Sequence, residues 1–172
     1  MSTATFALLA GIAYLGAGVL GLLPIFLSPP PADAPETQFT VLYGYLFGLF
    51  PVNVVHSAVH MIIGVLGIAA SGGSFSPVLY AKVLAVFYGV LAVFGLLPEF
   101  NTFFGLIPLH SHDVWLHGAT AAVAAYFGWR QQAPVARDRR GAIDRRLERL
   151  PVHTERRQAI GDRRRGYGLN PA

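Results

Sequence analysis

PVNVVHSAVHMIIGVLGIAA, residues 51–70, is the stretch whose reading decides the fold. It contains no acidic or basic residue other than histidine. A bilayer core about 30 Å thick needs roughly 20 apolar residues of helix, and this run meets that length. Its polar exceptions carry a pattern. Asn53, His56 and His60 are spaced three and four apart, which places them on one face of a helix. The stretch therefore reads as a membrane-spanning helix with one polar face, and a polar face inside a bilayer must point at something other than lipid.

Outward from this span, three more stretches have the same character. They run about 5–23, closed by Pro24, about 78–97, closed by Pro98, and about 108–129, closed by Arg130. Pro51 and Pro108 are read as first-turn residues, where a missing N–H costs nothing. The apolar run 39–50 is too short to span alone. It reads as an extension of the second helix or as an interfacial segment. The first stretch has no basic region before it, so it is read as a retained span and not as a leader. The expected fold is all-α, an integral membrane four-helix bundle over residues 1–130.

Composition agrees. Of 172 residues, 53% are hydrophobic and 13% charged, with mean hydropathy +0.49. An ordinary soluble domain carries about a quarter charged residues. The absence of cysteine excludes disulfide frameworks, thiolate metal sites and cysteine nucleophiles. Charge is sharply divided. Residues 1–129 hold Lys82 against Asp33, Glu36, Glu99 and Asp113, whereas residues 130–172 hold twelve arginines against five acids. By the positive-inside rule the arginine-rich tail, 131–172, is cytoplasmic. Four spans then put both termini on that side and the acidic 28–38 and 99–107 connections outside.

The chain also repeats itself. Tyr14, Gly21-Leu22-Leu23-Pro24 and Phe26 correspond to Tyr88, Gly95-Leu96-Leu97-Pro98 and Phe100 at a shift of 74. Phe47-Gly48-Leu49, Pro51 and His60 correspond to Phe104-Gly105-Leu106, Pro108 and His117 at a shift of 57. Two similar helical hairpins follow, related by a pseudo-twofold axis along the membrane normal. Small residues at four-residue spacing, Ala13, Ala17 and Gly21 in the first span and Ala81, Ala85 and Gly89 in the third, are read as packing stripes.

Under the repeat, His60 pairs with His117, His56 with Asp113 and Asn53 with His110. At 1.5 Å per residue, His60 and His117 lie about 15 and 16 Å from the cytoplasmic ends of their spans, near the bilayer midplane. His56 and Asp113 lie one turn outward, and His110 and His112 near the outer surface. Ionisable groups at such depth face the interior and pair. His56, His60, Asp113 and His117 converge as a ligand set for a divalent transition metal. Three alternatives stand beside it: haem b held axially by His60 and His117, a purely structural core in which the same groups hydrogen-bond one another and fix helix register, and a proton or small-solute path, against which the lack of charged pore-lining residues in the cytoplasmic halves of the spans counts.

Other chemistry is thin. Ser57 next to His56 is not triad geometry, no phosphate-binding loop is present, and His153 reads as solvated. Nothing marks an enzyme. The tail reads as solvated and partly disordered, with attraction to anionic lipid headgroups as its functional reading. No aromatic residue interrupts its arginines before Tyr167, so nucleic acid is not expected. Self-association or a partner membrane subunit stays open.

The run Leu46-Phe47-Gly48-Leu49-Phe50-Pro51-Val52-Asn53-Val54-Val55-His56-Ser57-Ala58-Val59-His60, with Gly64-Val65-Leu66-Gly67 after it, resembles the bacterial membrane family known as domain of unknown function 4383. Gly105-Leu106, Pro108, Asp113 and Leu116-His117 resemble it too. The resemblance covers about residues 5–129, and His110 stands where that family commonly carries asparagine. It implies a small multi-pass protein of the bacterial inner membrane and supplies no activity. The function read from the residues is that of a small polytopic membrane protein with a midplane His/Asp cluster that binds a metal ion.

Overall fold

A computed structural model describes residues 1–130. The arginine-rich segment 131–172, with the partial disorder and lipid contacts expected of it, lies outside the described residues.

Helix α1, Thr3–Gly21, starts at Ser2, whose hydroxyl accepts from the Thr5 N–H at 3.0 Å. It gives way to a 3-10 turn at Pro24–Phe26, where proline removes the next backbone donor. A small antiparallel sheet follows, made of β1, Leu27–Ser28, β2, Gly44–Leu46, and β3, Phe50–Val52, in that order. Leu27 pairs with Leu46, and Tyr45 with Pro51. The β2–β3 turn needs left-handed backbone, which Phe47 (φ 54°) and Gly48 (φ 74°) supply.

This sheet corrects two expectations. The run 39–50 does not extend the second helix; its second half is strand and turn. Pro51 is not a first-turn residue. It sits in β3, an edge strand, where a missing N–H is tolerated. Helix α2, Val54–Ser71, begins three residues later because Asn53 caps it. Helix α3, Pro77–Leu96, opens on Ser76 and a true first-turn proline, Pro77. Pro108 likewise lies in the α3–α4 connection, and α4 runs His112–Trp129.

Three of the four helices, α1, α2 and α3, are long and apolar enough to cross a membrane. Helix α4 matches them in length, but His112, Asp113 and His117 dilute its apolar character. Large aliphatic side chains face outward on several helices, with Ile62 at 60% and Val86 at 61% exposure. That is the surface of a membrane protein, since a water-facing protein seldom presents so broad an apolar belt.

Helix α1 packs chiefly on α2, and α3 on α4. The approach of α1 to α2 is backbone-close: a Cβ at Gly11 would stand 2.8 Å from the Gly64 carbonyl oxygen, and one at Gly64 would collide with the Leu15 backbone. The packing face of α1 therefore consists of Gly11, Gly18 and Gly21, all buried. The predicted stripe holds only at Gly21; Ala13 is exposed and Ala17 half-buried. On α3, Ala81 and Ala85 are buried as expected.

The two ends of the helices differ in charge. At one end Arg130 donates to the Met1 carbonyl at 2.8 Å and lies over the Phe127 ring, while Lys82 stands over Trp129. At the other end the sheet and the α3–α4 connection are joined, with the Gln38 N–H on the Gly105 carbonyl at 2.8 Å.

Candidate metal centre

Asn53 sets the site's geometry. Fully buried, it accepts the His56 N–H at 2.9 Å and donates to the carbonyls of Phe39 at 3.0 Å and Leu106 at 2.9 Å. One side chain thus caps α2 and ties it to the β1–β2 and α3–α4 connections. Capping fixes the helix start, and the helix start fixes where His56 and His60 point.

Those two imidazoles meet His117 of α4. His56, His60, Asp113 and His117 are all buried, none more than 5% exposed. The His56 ring centroid is 4.4 Å from that of His60 and 6.0 Å from that of His117. One ring nitrogen from each of the three histidines lies within 4.8 Å of the others. A tetrahedral ion at about 2.0–2.1 Å from each nitrogen would draw them to about 3.3 Å apart. Side-chain adjustments of about 1.5 Å close that gap.

Asp113 lies beside His56. Its Oδ2 is 3.7 Å from His56 Nδ1, beyond hydrogen-bond length, and it is not among the three residues whose donors converge. It stands behind His56, where it can orient that ring.

The polar atoms of the cluster lack partners. His56 Nδ1, both ring nitrogens of His60, both of His117 and Asp113 Oδ2 are buried without a hydrogen bond among the described residues. Each such atom costs about 1–3 kcal/mol. Buried polar atoms are nearly always paired, so this concentration calls for a partner that the described side chains do not supply.

Aromatic rings wall the cluster. Tyr14 lies against His60 with centroids 5.2 Å apart, and Tyr88 against His117 at 4.9 Å. The two tyrosines stack on each other at 5.1 Å, and the Tyr14 hydroxyl pairs with Thr120 at 2.7 Å. None of these three residues was read as part of the site from sequence. The signal existed, because Tyr14 and Tyr88 are partners in the repeat.

Haem fits poorly here. His60 and His117 are close enough to share an iron, but His56, Tyr14 and Tyr88 pack against their rings where a porphyrin plane would extend.

His110 stays outside the cluster. It is buried beside Tyr45, its Nδ1 3.5 Å from the tyrosine hydroxyl. Both residues lie outside the helices. Burial pushes the His110 imidazole below the usual histidine range and the Tyr45 hydroxyl above the usual tyrosine one. His112 is exposed and pairs with Ser111.

A family model described as a domain of unknown function (DUF4383) matches residues 4–130. No curated protein and no solved structure matches the chain.

Proposed function

This chain belongs to the DUF4383 family, and from that premise we propose that it is a four-span membrane protein that holds a divalent transition metal ion between α2 and α4. His56, His60 and His117 are the ligands, and Asp113 orients His56 from behind. One observation carries the reading: three buried imidazoles from two helices bring unpartnered nitrogens within 4.8 Å of one another. Imidazole suits zinc, copper, iron and nickel. A divalent ion would also place positive charge near the buried Asp113 carboxyl, 3.7 Å from His56. A core that served packing alone would pair these groups with short hydrogen bonds, and among the described residues none of these atoms has one.

The same reading takes the four helices as a bundle of two similar hairpins. Several contacts of one half recur in the other. Gly21 abuts Ser57 and Val52; its repeat partner Gly95 abuts Val114 and Leu109, the partners of those residues at the shift of 57. The turns before α2 and α4 both use left-handed Phe-Gly pairs, at Phe47-Gly48 and Phe104-Gly105. A pseudo-twofold axis would pass between the stacked tyrosines and bring His60 and His117 to the centre. The clustering of Lys82, Arg130 and the N-terminus at one end favours a cytoplasmic location for that end. The arginine-rich segment 131–172 then lies beside anionic headgroups of the inner leaflet.

The test is elemental analysis with a visible absorption spectrum on protein purified in mild detergent. A stoichiometric metal, lost in His60→Ala and His117→Ala, supports the reading. A metal-free protein after loading with zinc, copper, iron and nickel salts contradicts it, and a Soret band replaces the ion with haem.

A further inference from the structure

Two grooves run along the helices, and they occupy equivalent places in the repeat. One, of about 340 Å³, lies between α2 and α3; the other, of about 480 Å³, lies between α1 and α4. Their walls differ residue by residue. Where the first has Leu84 and Phe87, the second has Ala10 and Ala13. Where the first has Ile62 and Ile63, the second has Ala119 and Thr120. Small side chains deepen the second groove until it reaches His60, which lines it together with Tyr14. No histidine lines the first.

We propose that the α1–α4 groove is a lateral portal through which a neutral lipid with a single chain and a terminal hydroxyl reaches the histidine cluster from the bilayer. The inference rests on the membrane setting and the repeat proposed above, and it does not need the ion. The rims, Leu9 and Val123, are about half exposed, so the groove opens sideways toward lipid. No Asp, Glu, Lys or Arg lines it, which leaves a carboxylate or phosphate headgroup without a fixed opposite charge. Its inner end offers the Tyr14–Thr120 hydroxyl pair beside the buried His60 ring. A hydroxyl head fits that end better than a carbonyl. It donates to one hydroxyl of the pair and accepts from the other, using both of its capacities.

The experiment uses the full chain in phosphatidylcholine vesicles with a decanol carrying a diazirine on its chain, photolysed with and without excess decanol. The expected result is label on peptides spanning 10–17 and 116–123 that decanol competes away. In the double variant Ala13→Phe, Thr120→Ile, which copies the closed groove, the competable label is lost. Should that variant not fold, Ala119→Ile alone serves. Label that decanol does not compete, label equally strong on peptides spanning 83–87, or label unchanged in the filled variants overturns the portal. Metal content read on the same vesicles separates the two ideas. Competable label without metal leaves the portal and removes the ion; metal without competable label does the reverse.

Discussion

Tyr14 and Tyr88, one from each half of the chain, stack with ring centroids 5.1 Å apart, and each also lies against one histidine of the central cluster. The stacked pair joins α1 to α3, two helices whose main packing lies elsewhere. Tyr14→Phe keeps the rings and drops only the bond to Thr120, so it should cost about 0.5–1.5 kcal/mol. Tyr14→Ala removes the ring and should cost about 3–5 kcal/mol. Thermal unfolding in detergent measures both. Equal losses would mean that the hydroxyl, and not the stack, holds the halves together.

Asp113 and the histidines should separate by their effects on metal. His60→Ala and His117→Ala should abolish stoichiometric binding. Asp113→Asn should keep the ion and weaken it by about 10–100-fold, the usual effect of losing a group that orients a ligand. Competition with a chelator of known affinity reads the difference. Total loss in Asp113→Asn would make the carboxylate a ligand.

Asn53→Ala should be among the most damaging single changes outside the ligands. It deletes a helix cap worth about 0.5–2 kcal/mol. It also removes the bonds donated to the carbonyls of Phe39 and Leu106, worth about 0.5–1.5 kcal/mol each, although the Phe39 carbonyl keeps the Thr37 hydroxyl. A lower midpoint in thermal unfolding and reduced metal retention at ambient temperature should appear together.

The α1–α2 contact can be probed with glycine pairs. Gly64→Val forces a side chain into the Leu15 backbone and should destabilise by at least about 1–3 kcal/mol. Gly16→Ala and Gly118→Ala place a methyl in open space. They should be neutral or gain up to about 1 kcal/mol from helix propensity. The same unfolding assay ranks the three.

Topology is open to a simple labelling test because the chain has no cysteine of its own. Single cysteines at Glu36 and Asn101 should react with an impermeant maleimide added outside intact cells. Cysteines at Ser74 and Gln132 should react only after the membrane is opened. Reaction of the Gln132 position from outside would mean that α4 does not cross.

Much of this was legible in the sequence because apolar length and i, i+4 spacing are local properties. The helices and the meeting of His56, His60 and His117 follow from them. The sheet was not legible. Strands of two or three residues have too few positions for an alternating pattern, and Pro51 imitates a helix start until Asn53 is seen capping the turn after it. The alanine stripe of α1 misled for a related reason. Spacing places Ala13, Ala17 and Gly21 near one another but does not say whether they touch a helix or line a groove. The repeat put Asp113 beside His56, and the 3.7 Å that separates the two is a distance only coordinates supply. The fourth helix shows the converse: the side chains that make α4 interesting are those that lower its apolar character.

The central claim is an ion held by three histidines, and an experimental structure of the metal-loaded protein with anomalous scattering tests it most directly. The account predicts one anomalous peak at about 2.0–2.1 Å from a nitrogen of each of His56, His60 and His117, with Asp113 bonded to His56. Well-ordered density in which those imidazoles bond only to water or to one another, with no peak between them, would contradict it.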